Sequence, residues 1–211
     1  MDFLNGTAHC TIGAAAGFVV ANTYHADLAS TLLLVGIGGV AGLIPDIDIN
    51  GKLANRITLS HKVFRSIAQF IGCLMIIYSF IQGVGTEKWL GMGIGVGMII
   101  LSSFLTQRRM LSVTGVGVLV GGLSLHENWL LLLGVYIIIA SFLPHRSYTH
   151  SIIGILFFGV IASELQASLQ VNGVFTTCVT GYMSHIMADM KIFPFNKRGV
   201  KLFLPLSSKE F

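Results

Sequence analysis

Eight apolar stretches, near residues 6–24, 28–44, 66–82, 89–105, 111–125, 129–143, 151–169 and 174–190, alternate with short segments that hold most of the charges. A helix needs about 20 residues to cross the hydrocarbon of a bilayer, within a range of about 17–25. Most of the stretches therefore predict transmembrane helices. Those at 111–125 and 129–143 are shorter, and predict either two brief spans or a re-entrant hairpin. The pattern gives an all-α, polytopic transmembrane helical bundle of eight helices, or six if the short pair turns back. It forms a single membrane-embedded domain over residues 1–211. Gly13-x-x-x-Gly17, Gly91/Gly93/Gly95/Gly97 and Gly115/Gly117/Gly121 supply small residues of the kind that let membrane helices approach closely.

Composition agrees with this pattern. A mean hydropathy of +0.80 with only 10% charged residues excludes an ordinary soluble domain. Asp2, and the lack of a basic leader, predict that the first stretch is a helix and not a cleavable signal. The charges then orient the chain. With both termini in the cytoplasm and loops alternating sides, segments 45–65, 106–110, 144–150 and 191–211 are cytoplasmic. They hold 12 of the 13 Lys and Arg residues, and only Lys88 falls outside. This is the positive-inside distribution, which the reverse topology violates. Basic residues this sparse, with aromatics scattered elsewhere, set topology and touch anionic lipid; they do not describe a nucleic-acid surface.

The same topology gathers His9, Asp46, Asp48, His145, His150, His185 and Asp189 at one membrane face, although they come from four separated segments. Imidazole nitrogens and carboxylate oxygens are ligands of zinc and similar divalent ions, and ionisable groups near lipid are costly to keep. His145-Arg146-Ser147-Tyr148-Thr149-His150-Ser151 places two histidines in a loop, where both can converge on one ion. Arg146 adds a cation for an anionic group. His185 and Asp189, four apart, share a helix face: either both bind metal or Asp189 orients His185. Asp46 and Asp48 follow Pro45, which disrupts regular helix; they can coordinate an ion, hold a histidine or accept a proton from water. The cysteines Cys10, Cys73 and Cys178 are scattered and form no metal or disulfide pattern. His25, Asp27, His126 and Glu127 fall outside, His61 belongs to a basic segment, and Glu164 has no assigned role.

Taken in order, Ala8-His9 with Gly13, Leu43-Ile44-Pro45-Asp46-Ile47-Asp48, the His145–Ser151 run, Gly181-Tyr182-Met183-Ser184-His185-Ile186-Met187-Ala188-Asp189, and Gly199–Ser207 resemble the YdjM-like family of bacterial inner-membrane proteins, which are described as metal-dependent hydrolases. The resemblance covers residues 6–50 and 144–207 and leaves 66–143 as an intervening helical elaboration. Ile49-Asn50 stands where the family pattern often has His-Pro. The resemblance implies a multi-pass protein of the bacterial inner (cytoplasmic) membrane and a functional role for the seven polar positions.

The expected function is metal-dependent hydrolysis at the cytoplasmic face, of a phosphoester in a lipid or lipid-linked substrate. In that reading His145, His150 and His185 hold zinc, or manganese or iron, with His9 or Asp189 completing or supporting the site. Asp46 or Asp48 is the general base, and Arg146 stabilises the anionic group. Two alternatives stand beside it. One is a metal-ion transporter, which would need polar groups continuing across the bilayer. The other is a non-catalytic protein whose ion joins helices.

Overall fold

The computed structural model describes residues 6–47, 61–144, 146–191 and 199–211. Among them are eight α-helices and no strand: α1 (Gly6–Thr23), α2 (Leu28–Ala41), α3 (His61–Gln82), α4 (Gly85–Ser103), α5 (Gln107–Leu125), α6 (Asn128–Ala140), α7 (Ile152–Leu169) and α8 (Val174–Ala188). The eight-helix expectation holds, and each helix matches one apolar stretch. Their lengths are less uniform than the stretches suggested. By length and composition, only Arg65–Gln82 in α3 and Ile152–Leu169 in α7 suffice singly to cross a membrane. Helices α2 and α6, with 14 and 13 residues, extend about 20 Å at 1.5 Å per residue, against a hydrocarbon core of about 30 Å.

The chain divides into two compact units, Met1–Ala54 with Leu111–Phe211, and Asn55–Met110. In the second, α3 and α4 form a hairpin that crosses at glycine: a methyl on Gly72 would lie 2.8 Å from the Gly95 carbonyl oxygen. This unit exposes Phe70, Ile77, Tyr78, Trp89 and Leu101. Exposed apolar side chains in such density suit a lipid environment.

The first unit carries the candidate site. Asp27 starts α2 by accepting the Ser30 N–H at 2.7 Å, a standard N-cap. A left-handed residue, Gln170, ends α7, and Gly173 at φ 92° begins α8, so the two helices turn back on each other within a few residues. Helices α1 and α2 meet backbone to backbone. A methyl on Gly13 would sit 2.3 Å from the Gly38 carbonyl oxygen, and one on Gly17 would sit 2.3 Å from that of Leu34. Gly181 brings α8 against the same stretch, with a methyl there 2.8 Å from the Gly38 oxygen. Thus α1, α2 and α8 share one small-residue seam, as the Gly13/Gly17 spacing predicts. The other runs divide. Gly91, Gly95 and Gly115 stand at close contacts, whereas Gly93, Gly97, Gly117 and Gly121 face open space.

The short stretches at 111–125 and 129–143 form a paired hairpin. A methyl on Gly134 would lie 2.6 Å from the Leu119 nitrogen, and Ser112 and Ser141 share a 2.7 Å hydrogen bond. Glu164, unassigned from sequence, accepts a hydrogen bond from Asn128 at 3.1 Å, linking α6 to α7. The core of the unit is Leu34, Ile47, Tyr136, Ile161, Val174, Tyr182, Ile186 and Val200, all buried.

Candidate metal centre

The glycine seam determines what meets at its end. His9 lies one turn before Gly13 on the buried stripe of α1, and His185 lies one turn after Gly181 on that of α8. Close approach at the glycines therefore stacks the two imidazoles, with ring centroids 3.9 Å apart and planes at 25°. After α2, Pro45 cannot continue the helix, and Ile44–Ile47 forms a single 3-10 turn that buries Asp46. A second 3-10 turn, Tyr148–His150, precedes α7 and buries His150 completely. Ser151 then caps α7, its Oγ accepting the Gly154 N–H at 3.5 Å.

Four donors from three places converge. His150 Nε2 and His185 Nε2 are 3.2 Å apart. Asp46 Oδ1 lies 3.8 Å from the first and 3.7 Å from the second. Asp189 Oδ2 lies 3.8 and 3.7 Å from the same two atoms. Ligands held about 2.0–2.1 Å from a tetrahedral ion stand about 3.3–3.4 Å from one another. The His150–His185 separation of 3.2 Å matches that spacing, and the four carboxylate distances of 3.7–3.8 Å are a few tenths of an ångström longer.

The second nitrogens of the histidines strengthen the fit. His185 Nδ1–H donates to the Gly42 carbonyl at 2.7 Å, so in its neutral form Nε2 carries the lone pair. His150 Nδ1 is 3.1 Å from Thr149 Oγ1, a hydroxyl able to accept its proton. The His185 lone pair thus faces His150 Nε2 at 3.2 Å, where either an Nε2–H of His150 or a shared cation can meet it. Metal-binding histidines are oriented by partners of this kind. Buried His and Asp groups of this composition can hold an ion, and N/O donors suit zinc, manganese or iron.

Asp189, just beyond the end of α8, is the most connected group. His9 Nε2 stands 3.4 Å from its Oδ1, and the Arg146 guanidinium stands 3.2 Å from its Oδ2.

Of the seven polar positions expected from sequence, five are therefore in one cluster: His9, Asp46, His150, His185 and Asp189, with Arg146 beside them. Asp48 and His145 lie outside the described residues. Asp46, expected as a base, lies within ligand distance of His150 and His185.

Sequence reading missed the supports. The Tyr182 hydroxyl donates to the Thr149 carbonyl and meets the Tyr136 hydroxyl at 2.9 Å, tying the His150 turn to α8 and α6. The Leu202 carbonyl accepts the Ile152 N–H at 3.0 Å, so the Gly199–Ser207 signature braces the start of α7. The one signal for Tyr182 was its place a single turn before His185 on an apolar helix. Removing its hydroxyl leaves a buried carbonyl short of a donor, a cost of about 1–3 kcal/mol. Tyr182→Phe is expected to lower the melting temperature and to weaken ion binding about 10-fold or more, as the loss of such outer partners does. Equilibrium competition against a chelator measures the second effect.

The YdjM inner membrane protein family model matches residues 4–211 and runs through 66–143, the stretch that sequence reading set apart. Comparison with curated proteins and with solved structures gave no match. With an all-helical membrane-type fold and a family match over almost its whole length, this chain belongs to the YdjM inner membrane protein family.

Proposed function

We propose that the chain is a membrane-bound, metal-dependent hydrolase acting on a phosphoester of a lipid or lipid-linked substrate at the cytoplasmic face. The observation that carries this reading is the convergence of His150, His185, Asp46 and Asp189 at ligand spacing, with both imidazoles oriented through their other nitrogens. A divalent ion there supplies Lewis acidity toward a phosphoryl oxygen and makes water acidic enough to act as a nucleophile near neutral pH.

The residues divide the remaining work. His185 and His150 present Nε2 because Gly42 and Thr149 hold the opposite edges of their rings. Asp46 joins the ligand set, so the role of general base passes to Asp48, two residues further on. Arg146 has a positive φ of 59° and brings its guanidinium to the edge of the cluster. A planar, permanently charged donor fork suits an anionic phosphoryl group. Membrane placement supports a lipid substrate, since the chain belongs to an inner-membrane family.

A second reading has a specific observation in its favour. Buried His and Asp donors at ligand distance also describe a structural site that joins α8 to the two 3-10 turns. One experiment separates the two. Detergent-purified protein is analysed for zinc, manganese and iron by mass spectrometry, beside His150→Ala, and both are assayed for headgroup or phosphate release from a phospholipid panel. Bound metal and metal-dependent release, both lost in His150→Ala, support hydrolysis. Bound metal with no release, and a melting temperature that falls sharply on chelation, supports the structural role.

A further inference from the structure

We propose that the centre holds two ions, the second lying between His9 Nε2 and Asp189 Oδ1, with the Asp189 carboxylate bridging the pair. This rests on the metal-centre reading above and extends it from a one-ion to a two-ion site.

The geometry that points there is the relation of two parallel rings to one carboxylate. His185 and His9 are stacked 3.9 Å apart. Each aims its Nε2 at Asp189, but at different oxygens: His185 at Oδ2, 3.7 Å away, and His9 at Oδ1, 3.4 Å away. A 3.4 Å separation of two donors is what two ligands of one ion show at bond lengths of about 2.0–2.1 Å. Parallel imidazoles 3.9 Å apart, each ligating along its own direction, would place their ions at about the same spacing. Paired catalytic ions stand about 3.5–4 Å apart. Two ligand-competent groups, His9/His185/Asp189 and Asp46/His150/His185, share His185; with its Nε2 given to the first ion, His9 and Asp189 remain for the second.

Burial adds to this. His9 is 3% exposed on α1, whose other buried positions are small or aliphatic, so its imidazole is kept in an apolar seam at a cost. Among the described residues Asp189 is its one polar partner, since Nδ1 is buried and has no hydrogen-bond partner there. The rings of His185 and His150 are each fixed by a second hydrogen bond, and that of His9 is not. The second ion is therefore the more weakly held and leaves first on chelation.

A pair of ions narrows the substrate class. Two cations at this spacing can clamp the attacking and leaving oxygens of an in-line displacement, the arrangement used on phosphoesters.

The test is loading of the detergent-purified chain with manganese, followed by metal analysis and electron paramagnetic resonance. Wild type is expected to bind two ions per chain, to give the exchange-coupled signal of a manganese pair, and to release the ions in two steps against a chelator. His9→Gln keeps an N–H able to donate to Asp189 but removes the imidazole ligand. It is expected to bind one ion and to give an uncoupled six-line signal, and His9→Ala should behave alike. Two ions retained in His9→Gln would overturn the assignment of His9 as a ligand. A single, uncoupled ion in wild type, unchanged by either variant, would overturn the second position and leave the one-ion centre standing. No ion in wild type would remove both readings.

Discussion

His185→Ala is expected to abolish binding of the tighter ion and any metal-dependent hydrolysis, the largest expected effect of a single side chain in this protein. Its Nε2 is the atom nearest to all the other donors, at 3.2 Å from His150, 3.7 Å from Asp46 and 3.7 Å from Asp189. No neighbouring group can take its place, because His9 reaches the other oxygen of Asp189 and His150 already belongs to the set. The loss has a thermodynamic signature that needs no substrate. An ion present at a hundred times its dissociation constant stabilises the folded state by about 2.7 kcal/mol. Wild-type melting temperature should therefore climb as zinc or manganese is added, while that of His185→Ala stays flat. The variant also leaves the Gly42 carbonyl without its donor, so its baseline stability should fall, by about 1–3 kcal/mol. His126→Ala, at an exposed turn between α5 and α6, is the control and should titrate like wild type. An ion-dependent rise of equal size in His185→Ala would dismiss the centre as drawn.

The apolar pattern alone located all eight helices because each must bury or expose a hydrophobic surface of definite length, whatever its neighbours do. It could not show which were long enough to cross, since Pro45, Pro144 and the left-handed residues His25, His126 and Gln170 end helices inside or beside apolar runs. The clustering of the polar residues was legible for a different reason. Ionisable residues are rare in such a chain, so those at one face of a common topology stand out, and five of the seven expected are found together.

Their roles were less legible. The sequence places Asp46 after a helix breaker but does not say which way its carboxylate faces; the 3-10 turn Ile44–Ile47 buries it beside His150 and His185. A lone histidine on a helix is most often structural, so sequence alone gives His9 no more than a supporting place. It gains meaning only from Gly13 and Gly17, which draw α1 onto α2 and so set its ring on that of His185. Tyr182 and the Leu202 carbonyl act through hydrogen bonds to backbone groups, which leave no trace in residue type.

Because the ligands are delivered by helix contacts, the centre should be breakable without touching a ligand. Gly13→Ala adds one methyl, whose carbon would lie 2.3 Å from the Gly38 carbonyl oxygen and 3.1 Å from Gly42 Cα. Both are backbone, so no rotamer change relieves the overlap and α1 must withdraw from α2. Overpacking of this kind costs about 1–3 kcal/mol. The displacement acts at the centre from both sides. His9 is one turn away on α1, and the Gly42 carbonyl that orients His185 ends α2. Gly36→Ala, on α2 with no atom near its added methyl, gives the opposite expectation. It removes only glycine's excess freedom in a helix and should stabilise by about 0.5–1 kcal/mol, with ion binding untouched. Melting temperatures and bound metal, measured together for the two variants, should therefore move in opposite directions from wild type for the first quantity and diverge for the second. Equal melting temperatures and equal metal content would mean that the glycine seam does not position the ligands, and that His9 and His185 reach Asp189 by some other constraint.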